Sequence, residues 1–261
     1  MTKNISIPVL ILAIAISAMA PASGLSVNGG LMEMTVAPGD ELRHQIIIGV
    51  GDDDEPMEAK VGVFGCGFGL DGARINLDPE EDVSPYSARP FLTVTPESAI
   101  VKPNETATFV VTGTVPEDVG SGGRYALVNV GTPPRGEGQV GIALAAVIPV
   151  RLTIKGSDLV ETGEITELSA SSAEVSAIFE NTGNHHFKAS AEATLTDAEG
   201  EVVAKAEAPL MYTPVIPTYS WLFKMAFEAE EELAPGTYTV EVSVIHEDGT
   251  VLDTEETTFE V

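Results

Sequence analysis

Hydrophobic and polar residues alternate along much of the chain. Over residues 187–195 every odd position is apolar and every even position is polar, and residues 219–225 and 238–244 follow a similar alternation. A period of two places successive side chains on opposite faces of a strand, so these runs predict half-buried β-strands. Turn-forming sequences at 197–200 and 247–250 interrupt the runs and predict hairpins. No window favours an amphipathic helix, and the pattern predicts an all-β fold.

The first half of the chain repeats this pattern with proline-led turns at Pro38 and Pro103, each followed by a predicted strand. Both halves carry Gly-x-Tyr at a strand start, ending at Tyr125 and Tyr238. This placement is similar to the tyrosine corner of immunoglobulin-like sandwiches. The sequence therefore predicts two tandem immunoglobulin-like β-sandwiches, over residues 25–156 and 157–261, joined by the polar stretch 156–163.

The N-terminus has the order of a secretory signal peptide: Lys3, an apolar run over residues 5–20, and then small residues. We expect residues 1–24 to be a signal peptide that is removed near Ser23 or Leu25. The alternative is an uncleaved membrane anchor, although the run is marginal for a bilayer. Either outcome predicts an exported protein, extracellular or at the cell surface. If the signal is cleaved, we expect no membrane insertion of the mature chain.

The chain is strongly acidic, with 13 lysines and arginines against 40 acidic residues and a net charge of −27. From Ser157 onward there are three lysines, no arginine and 22 acidic residues, a balance of −19. Such a field repels nucleic acids and anionic membranes, which excludes both as partners. Salt screens the internal repulsion, so the composition suits a saline medium.

Few residues suggest metal or cofactor chemistry, and no cofactor is predicted. Asp52, Asp53 and Asp54 form an acidic run that could bind calcium, with a solvated loop as the alternative. His185 and His186 are neighbours, which on a strand would point to opposite faces, so loop histidines are favoured over a shared metal. The single cysteine, Cys66, excludes an internal disulfide, and we expect it to be buried rather than paired between molecules.

Two further motifs have structural interpretations. Residues 67–72 match G-x-G-x-x-G, but a short segment stopped by Pro79 follows where nucleotide binding needs a helix, so a glycine-rich loop is expected. Asn104 begins an N-x-T acceptor in a predicted surface turn and is a candidate glycosylation site. No nucleophile elbow, S-x-x-K or metal triad is present, and the sequence predicts a protein that is not an enzyme.

The segment from Val140 to Ile148 is uncharged, and Ile142, Leu144, Ala146 and Ile148 would share one face of a strand. The favoured interpretation is a central strand buried on both faces. The alternative is an edge strand that offers these side chains to a partner by strand addition. Tyr212, next to a proline-rich segment, is a second candidate for partner binding. The neighbouring aromatic residues 219, 221 and 223 are expected in a core.

Several segments carry a family resemblance. Residues 118–128, the Pro133-Pro134 loop and residues 140–155 resemble the closing strands of pilus-chaperone-like (PapD-like) domains. The order of both halves, with residues 180–184 and 233–238, resembles bacterial WxL-interacting surface proteins. The resemblance implies two immunoglobulin-like domains that bind a surface protein or a cell-wall polymer. Pilus chaperones hold a terminal carboxylate with a first-strand arginine and a last-strand lysine. Here no arginine lies in residues 25–36 and only Arg151 is near the second position.

The function expected from the sequence is that of a secreted or surface-retained interaction protein with a structural or adhesive role. The alternative is a chaperone-like assembly factor that binds secreted subunits by β-strand addition. An extracellular enzyme of unrecognised type is the second alternative. The expected partner is another surface protein or a cell-wall polymer.

Overall fold

The computed structural model describes residues 24–52, 54–134, 143–156, 158–227 and 233–261. Within these ranges the chain forms seventeen β-strands and one short 3₁₀ turn at Arg89–Phe91, which confirms the all-β prediction. No helix in these ranges is long and apolar enough to cross a membrane. The predicted signal peptide lies, apart from Gly24, outside the described residues and stays a prediction.

The first ten strands form two sheets that face each other. One sheet has the order β1-β3-β8-β6, and the other has the order β2-β10-β9-β4-β5, with β7 also pairing with β4. Phe109, Ile46 and Leu152 are fully buried in the core between the two sheets. The strands are β1 Leu25–Asn28, β2 Met32–Val36, β3 Glu41–Val50, β4 Met57–Phe68, β5 Arg74–Leu77, β6 Leu92–Thr95, β7 Ser98–Val101, β8 Thr106–Thr114, β9 Gly123–Gly131 and β10 Ala145–Ile154.

The last seven strands form a second pair of sheets, with orders β11-β12-β15 and β14-β13-β16-β17. The alternation at 187–195 has the predicted outcome, because its odd residues are buried in this core while Glu192 is exposed. Trp221 and Phe223 are also core residues, as predicted. The strands are β11 Gly163–Ala170, β12 Glu174–Asn181, β13 Ala189–Thr196, β14 Val202–Ala208, β15 Ser220–Ala226, β16 Thr237–His246 and β17 Val251–Glu260.

The two predicted tyrosine corners have different outcomes. The Tyr238 hydroxyl donates a hydrogen bond to the backbone oxygen of Ala234 at 2.9 Å, which is the geometry expected of a corner. The Tyr125 hydroxyl instead lies 3.1 Å from Nδ1 of His186, which follows β12 in the second sandwich. The prediction for Tyr125 is wrong because its side chain lies on the outer face of its sheet, where the second sandwich packs.

The two sandwiches meet through a small core of their own, formed by Cys66, Tyr125 and Leu127 from the first and Ile216 from the second. Cys66 is buried, as expected, and burial raises the pKa of its thiol to about 12. The segment between β10 and β11 is hydrogen-bonded to the second sandwich, since the Val160 N–H donates to Oδ1 of Asn184 at 2.8 Å. The domain boundary at 156/157 stays a prediction.

Candidate functional site: the open half of strand β10

Strand β10 is paired on both sides over only part of its length. It pairs antiparallel with β9 from Ala145 to Thr153, and parallel with β2 from Val150 to Ile154. Over Ala145–Pro149, which we call the open half of β10, no strand in the described parts of the chain pairs on the β2 side. An unpaired strand edge presents N–H and C=O groups that can pair with another chain. The open half is therefore a candidate binding edge.

The open half exists because the first strand segment changes sheets. β1 pairs with β3 in one sheet, and β2 then pairs with β10 in the other. The crossing begins at Gly29, which has a φ of +82° and lies so close to the backbone oxygen of Gln45 that a side chain there would overlap it. Glycine adopts this backbone conformation without steric cost. Because β2 joins the sheet opposite Val150, it leaves the preceding five residues uncovered.

The side chains of the open half are uncharged on both faces. Ile148 is only 1% exposed and belongs to the first core, and Ala146 packs partly buried beside it. On the other face Ala145 is exposed and Val147 is 39% exposed. The interpretation of Val140–Ile148 as a central strand buried on both faces is therefore wrong for the open half, because Ala145 and Val147 are exposed on its outer face.

The other predicted residues of this face lie before the strand. Leu144 is half-buried and adds one pair to the ladder with β9. Its N–H donates to Oγ1 of Thr132 at 3.0 Å, and its backbone oxygen accepts the Thr132 N–H at 2.9 Å. Ile142 lies outside the described residues. The structure thus places Leu144, Ala146 and Ile148 along one line, and their role in partner binding stays a prediction.

The adjacent histidines lie in a bend between β12 and β13, where their ring centroids are 4.3 Å apart. The prediction of loop histidines is confirmed, because residues 182–186 lie outside the strands. The supporting argument about opposite strand faces does not apply to a bend. Both rings contact the first sandwich: His186 through Tyr125, and His185 through a 3.1 Å approach of Nε2 to Oγ1 of Thr153. Burial, followed by the charges of His185 and Arg151, lowers the pKa of His186 to about 3.

A carboxylate links the histidine bend to strand β16. Oε1 of Glu161 lies 2.6 Å from Nδ1 of His185, and Oε2 lies 3.2 Å from Nε2 of His246. In the described ranges no three His, Cys, Asp or Glu side chains are placed to hold a metal ion. The His185–Glu161 contact is a hydrogen bond, whereas Nε2 of His246 lies near the carboxylate without hydrogen-bond geometry. The group reaches the first sandwich through His185 and Thr153.

Tyr212 is 69% exposed, but it is not a free surface aromatic. Its hydroxyl donates to the backbone oxygen of Asp71 at 2.6 Å, and its ring packs edge-on against Trp221 with centroids 5.3 Å apart. Of the predicted glycine-rich loop at 67–72, residues 67 and 68 end strand β4 and residues 69–72 form the tip of the β4–β5 hairpin. Leu222 donates its N–H to the Leu70 oxygen in this tip at 2.8 Å. Tyr212 thus lies at the contact between the sandwiches, and not beside the open half.

The weaker predicted sites lie in turns of the first sandwich. Asp54 accepts the Gly51 N–H at 2.8 Å with its carboxylate, which is a turn-stabilising role. Asp52 is exposed in the same turn, and Asp53 lies outside the described residues. Asn104 is exposed, with a φ of +61°, in the turn between β7 and β8. Calcium binding and glycosylation stay predictions.

One residue near the open half was not singled out from the sequence. Asn129 of β9 lies opposite Val147, and its Oδ1 is shielded from solvent without a hydrogen-bond partner in the described parts of the chain. The sequence carries a weak signal for it, since a polar residue here interrupts the apolar run from Tyr125 to Val130. Only the pairing register brings it next to β10.

No protein-family model and no curated protein sequence matches the chain. Among solved structures, similar ones include the Escherichia coli chaperone DraB, with 13% identity over 92% of this chain and 98% of that chain at a TM-score of 0.40. The class 5 fimbriae chaperone CfaA has 12% identity over 91% and 98% at 0.43. A chain from the complex of Salmonella enterica SafA pilin with the SafB chaperone has 10% identity over 91% and 96% at 0.41. The pilus-chaperone-like resemblance stated from the sequence is found again in these structures.

Proposed function

We propose that this chain is an exported binding protein that captures an extended segment of another secreted protein along the open half of β10. The function is that of an assembly chaperone or a related interaction protein. The observation that carries the proposal is the pairing of β10, which is complete at Val150–Ile154 and one-sided at Ala145–Pro149. Main-chain hydrogen bonds from such an edge provide affinity, and alternate side chains provide specificity.

The surroundings of the edge support this proposal. Natural edge strands are commonly protected by charged side chains or by a covering segment. The described residues of this edge, 143–149, carry no charge in a chain whose net charge is −27. An added strand would continue the sheet and extend the line of Leu144, Ala146 and Ile148 with apolar side chains of its own. Binding would then cover apolar surface that is half-exposed in the free protein.

Replacing Leu144 with lysine tests the proposal. Leu144 is only half-buried, so the lysine can extend into solvent, and we expect the free energy of unfolding to change by less than about 1 kcal/mol. The charge at the edge should abolish capture of the partner. The matched control is Val202→Lys on β14, because Val202 is an exposed apolar residue on another edge strand, and this variant should retain capture.

The measurement is photo-crosslinking from a benzoylphenylalanine placed at Ala145, together with hydrogen exchange of the complex. A captured protein should crosslink through one extended segment, and the amide hydrogens of Ala145 and Val147, which face the open side of β10, should become protected. Capture that survives Leu144→Lys, or protection confined to another surface, would refute strand addition. Crosslinking to a cell-wall polymer would favour the adhesive function instead.

A further inference from the structure

The second sandwich contacts the first through a bend at residues 182–186, which we call the histidine joint together with the residues it touches. Nδ1 of His186 lies 3.1 Å from the hydroxyl of Tyr125 on β9. Nε2 of His185 lies 3.1 Å from Oγ1 of Thr153 on β10. The joint therefore ties the second sandwich to the start of one strand and to the end of its neighbour in the first.

The apolar packing beside the joint is separate from the main packing of each sandwich. The two large cores lie within the first and the second sandwich, and each is complete without the other. Between them lies the small third core, formed by Cys66, Tyr125, Leu127 and Ile216. Contacts of this kind between domains of one chain commonly allow the domains to move relative to each other. The joint can therefore open without unfolding either sandwich.

The hydrogen bond at the centre of the joint favours a neutral His186. The Tyr125 side chain is 2% exposed, and Nδ1 of His186 is the one hydrogen-bond partner of its hydroxyl in the described parts of the chain. A neutral imidazole can accept the hydroxyl proton at Nδ1, whereas an imidazolium carries N–H groups on both nitrogens and cannot accept it. Protonation would leave the buried hydroxyl without an acceptor, which is costly.

The charges around His186 also disfavour its protonation. The guanidinium of Arg151 and the ring of His185, whose carboxylate partner is Glu161, both oppose a positive charge on it. The Glu33 carboxylate, 3.7 Å from Nε2, favours one, but it is half-exposed and is shared with Arg151 at 3.6 Å. The His186 side chain is itself only 12% exposed. Burial, followed by the charges of His185 and Arg151, lowers its pKa from 6.5 to about 3.

We propose that acid opens the histidine joint: a proton on His186 breaks its contact with Tyr125, and the bend leaves the first sandwich while both sandwiches stay folded. In the open form His186 is solvated and binds a proton as an ordinary histidine does. The ratio of open to closed molecules should therefore grow as the pH falls below 6.5. Between pH 7 and pH 5 this ratio should rise about 25-fold. The inference does not depend on the proposed strand addition.

The single cysteine provides the measurement on the full chain. Cys66 is buried in the small core, so its thiol reacts with dithiodipyridine when the joint opens. The reaction rate, divided by the rate of the urea-unfolded chain at the same pH, gives the opening constant. Hydrogen exchange of the Ile46 and Val242 amides, one in each large core, gives the unfolding constants of the two sandwiches. We expect the opening constant to exceed both unfolding constants and to rise about 25-fold between pH 7 and pH 5.

Two variants separate His186 from the other groups that titrate in acid. His186→Asn retains an acceptor for the Tyr125 hydroxyl and carries no titrating group, so its opening constant should change less than about threefold over the same range. If this variant does not fold, His186→Gln replaces it with the same expectation. The matched control is His44→Asn on β3, where the imidazole Nε2 lies 2.9 Å from the Gly29 oxygen within the first sandwich. This variant should retain the full rise.

Three results would overturn the proposal. The first is an opening constant of the natural chain that does not rise in acid. The second is an equal rise in the natural chain and in the His186 variant, which would assign the effect to other groups. The third is an opening constant no larger than the unfolding constants of the two cores, because Cys66 would then become accessible only when a sandwich unfolds.

Discussion

The contact between the sandwiches can be weakened at Gly72, at the tip of the β4–β5 hairpin. Gly72 has a φ of +76°, and an added side-chain carbon would overlap the ring of Trp221 and lie 2.9 Å from the Tyr212 hydroxyl. Gly72→Ala must therefore adopt an unfavourable backbone conformation and also move the hairpin away from the second sandwich. Gly200 is the matched control, because its φ is +84° and nothing lies within 4 Å of the added carbon.

The two substitutions should differ in magnitude for a definable reason. The left-handed conformation alone costs an alanine about 1 kcal/mol, and this is the expected effect of Gly200→Ala. Gly72→Ala also disrupts the hydrogen bonds from Leu222 to Leu70 and from Tyr212 to Asp71. Each contributes about 0.5–1.5 kcal/mol, so Gly72→Ala should lower the free energy of unfolding by about 2–4 kcal/mol.

The chain offers a direct optical measurement of this contact. Trp221 is the only tryptophan, it is 9% exposed, and it lies under Gly72. Gly72→Ala should shift its fluorescence emission to the red in native buffer and lower the urea midpoint, whereas Gly200→Ala should leave the emission unchanged. If the two variants have the same midpoint and the same emission, packing of the hairpin on Trp221 contributes nothing measurable, and the reasoning is refuted.

Two predictions concern solution conditions. Burial lowers the pKa of His186 from 6.5 to about 3. Between these pH values the imidazole binds a proton in the unfolded chain and stays neutral in the folded chain. The free energy of unfolding should therefore fall as the pH drops below 6.5, by about 2 kcal/mol between pH 7 and pH 5. In urea unfolding, His186→Asn should lose less stability over this pH range than the natural chain. An equal loss would exclude His186 as the cause. Glutamates lie directly opposite each other on neighbouring strands at 164/180, 192/207 and 241/256. Because salt screens the repulsion between such pairs, the melting temperature should rise in molar potassium chloride. The rise should be smaller in Glu192→Gln, which lacks one of the paired charges. A melting temperature that is flat or falls with salt would show that this repulsion is negligible.

The sequence by itself determined the class of fold and many of the buried faces. Strand side chains alternate with a period of two, so the run at 187–195 reveals its buried face without knowledge of its neighbours. The corner at Tyr238 was also predictable, because its hydroxyl bonds a carbonyl only four residues away. These features depend on contacts that are local along the chain or on the strand period alone.

Only the tertiary structure decided which part of the apolar segment before Ile154 is open. The answer depends on where β2, more than one hundred residues earlier in the sequence, joins the sheet. The same holds for Tyr125, which has the corner motif but bonds His186, and for Asn129, which register places beside Val147. Edges, registers and the packing of one sandwich on another are set by contacts between distant segments, and hydrophobic alternation within one strand carries no information about them.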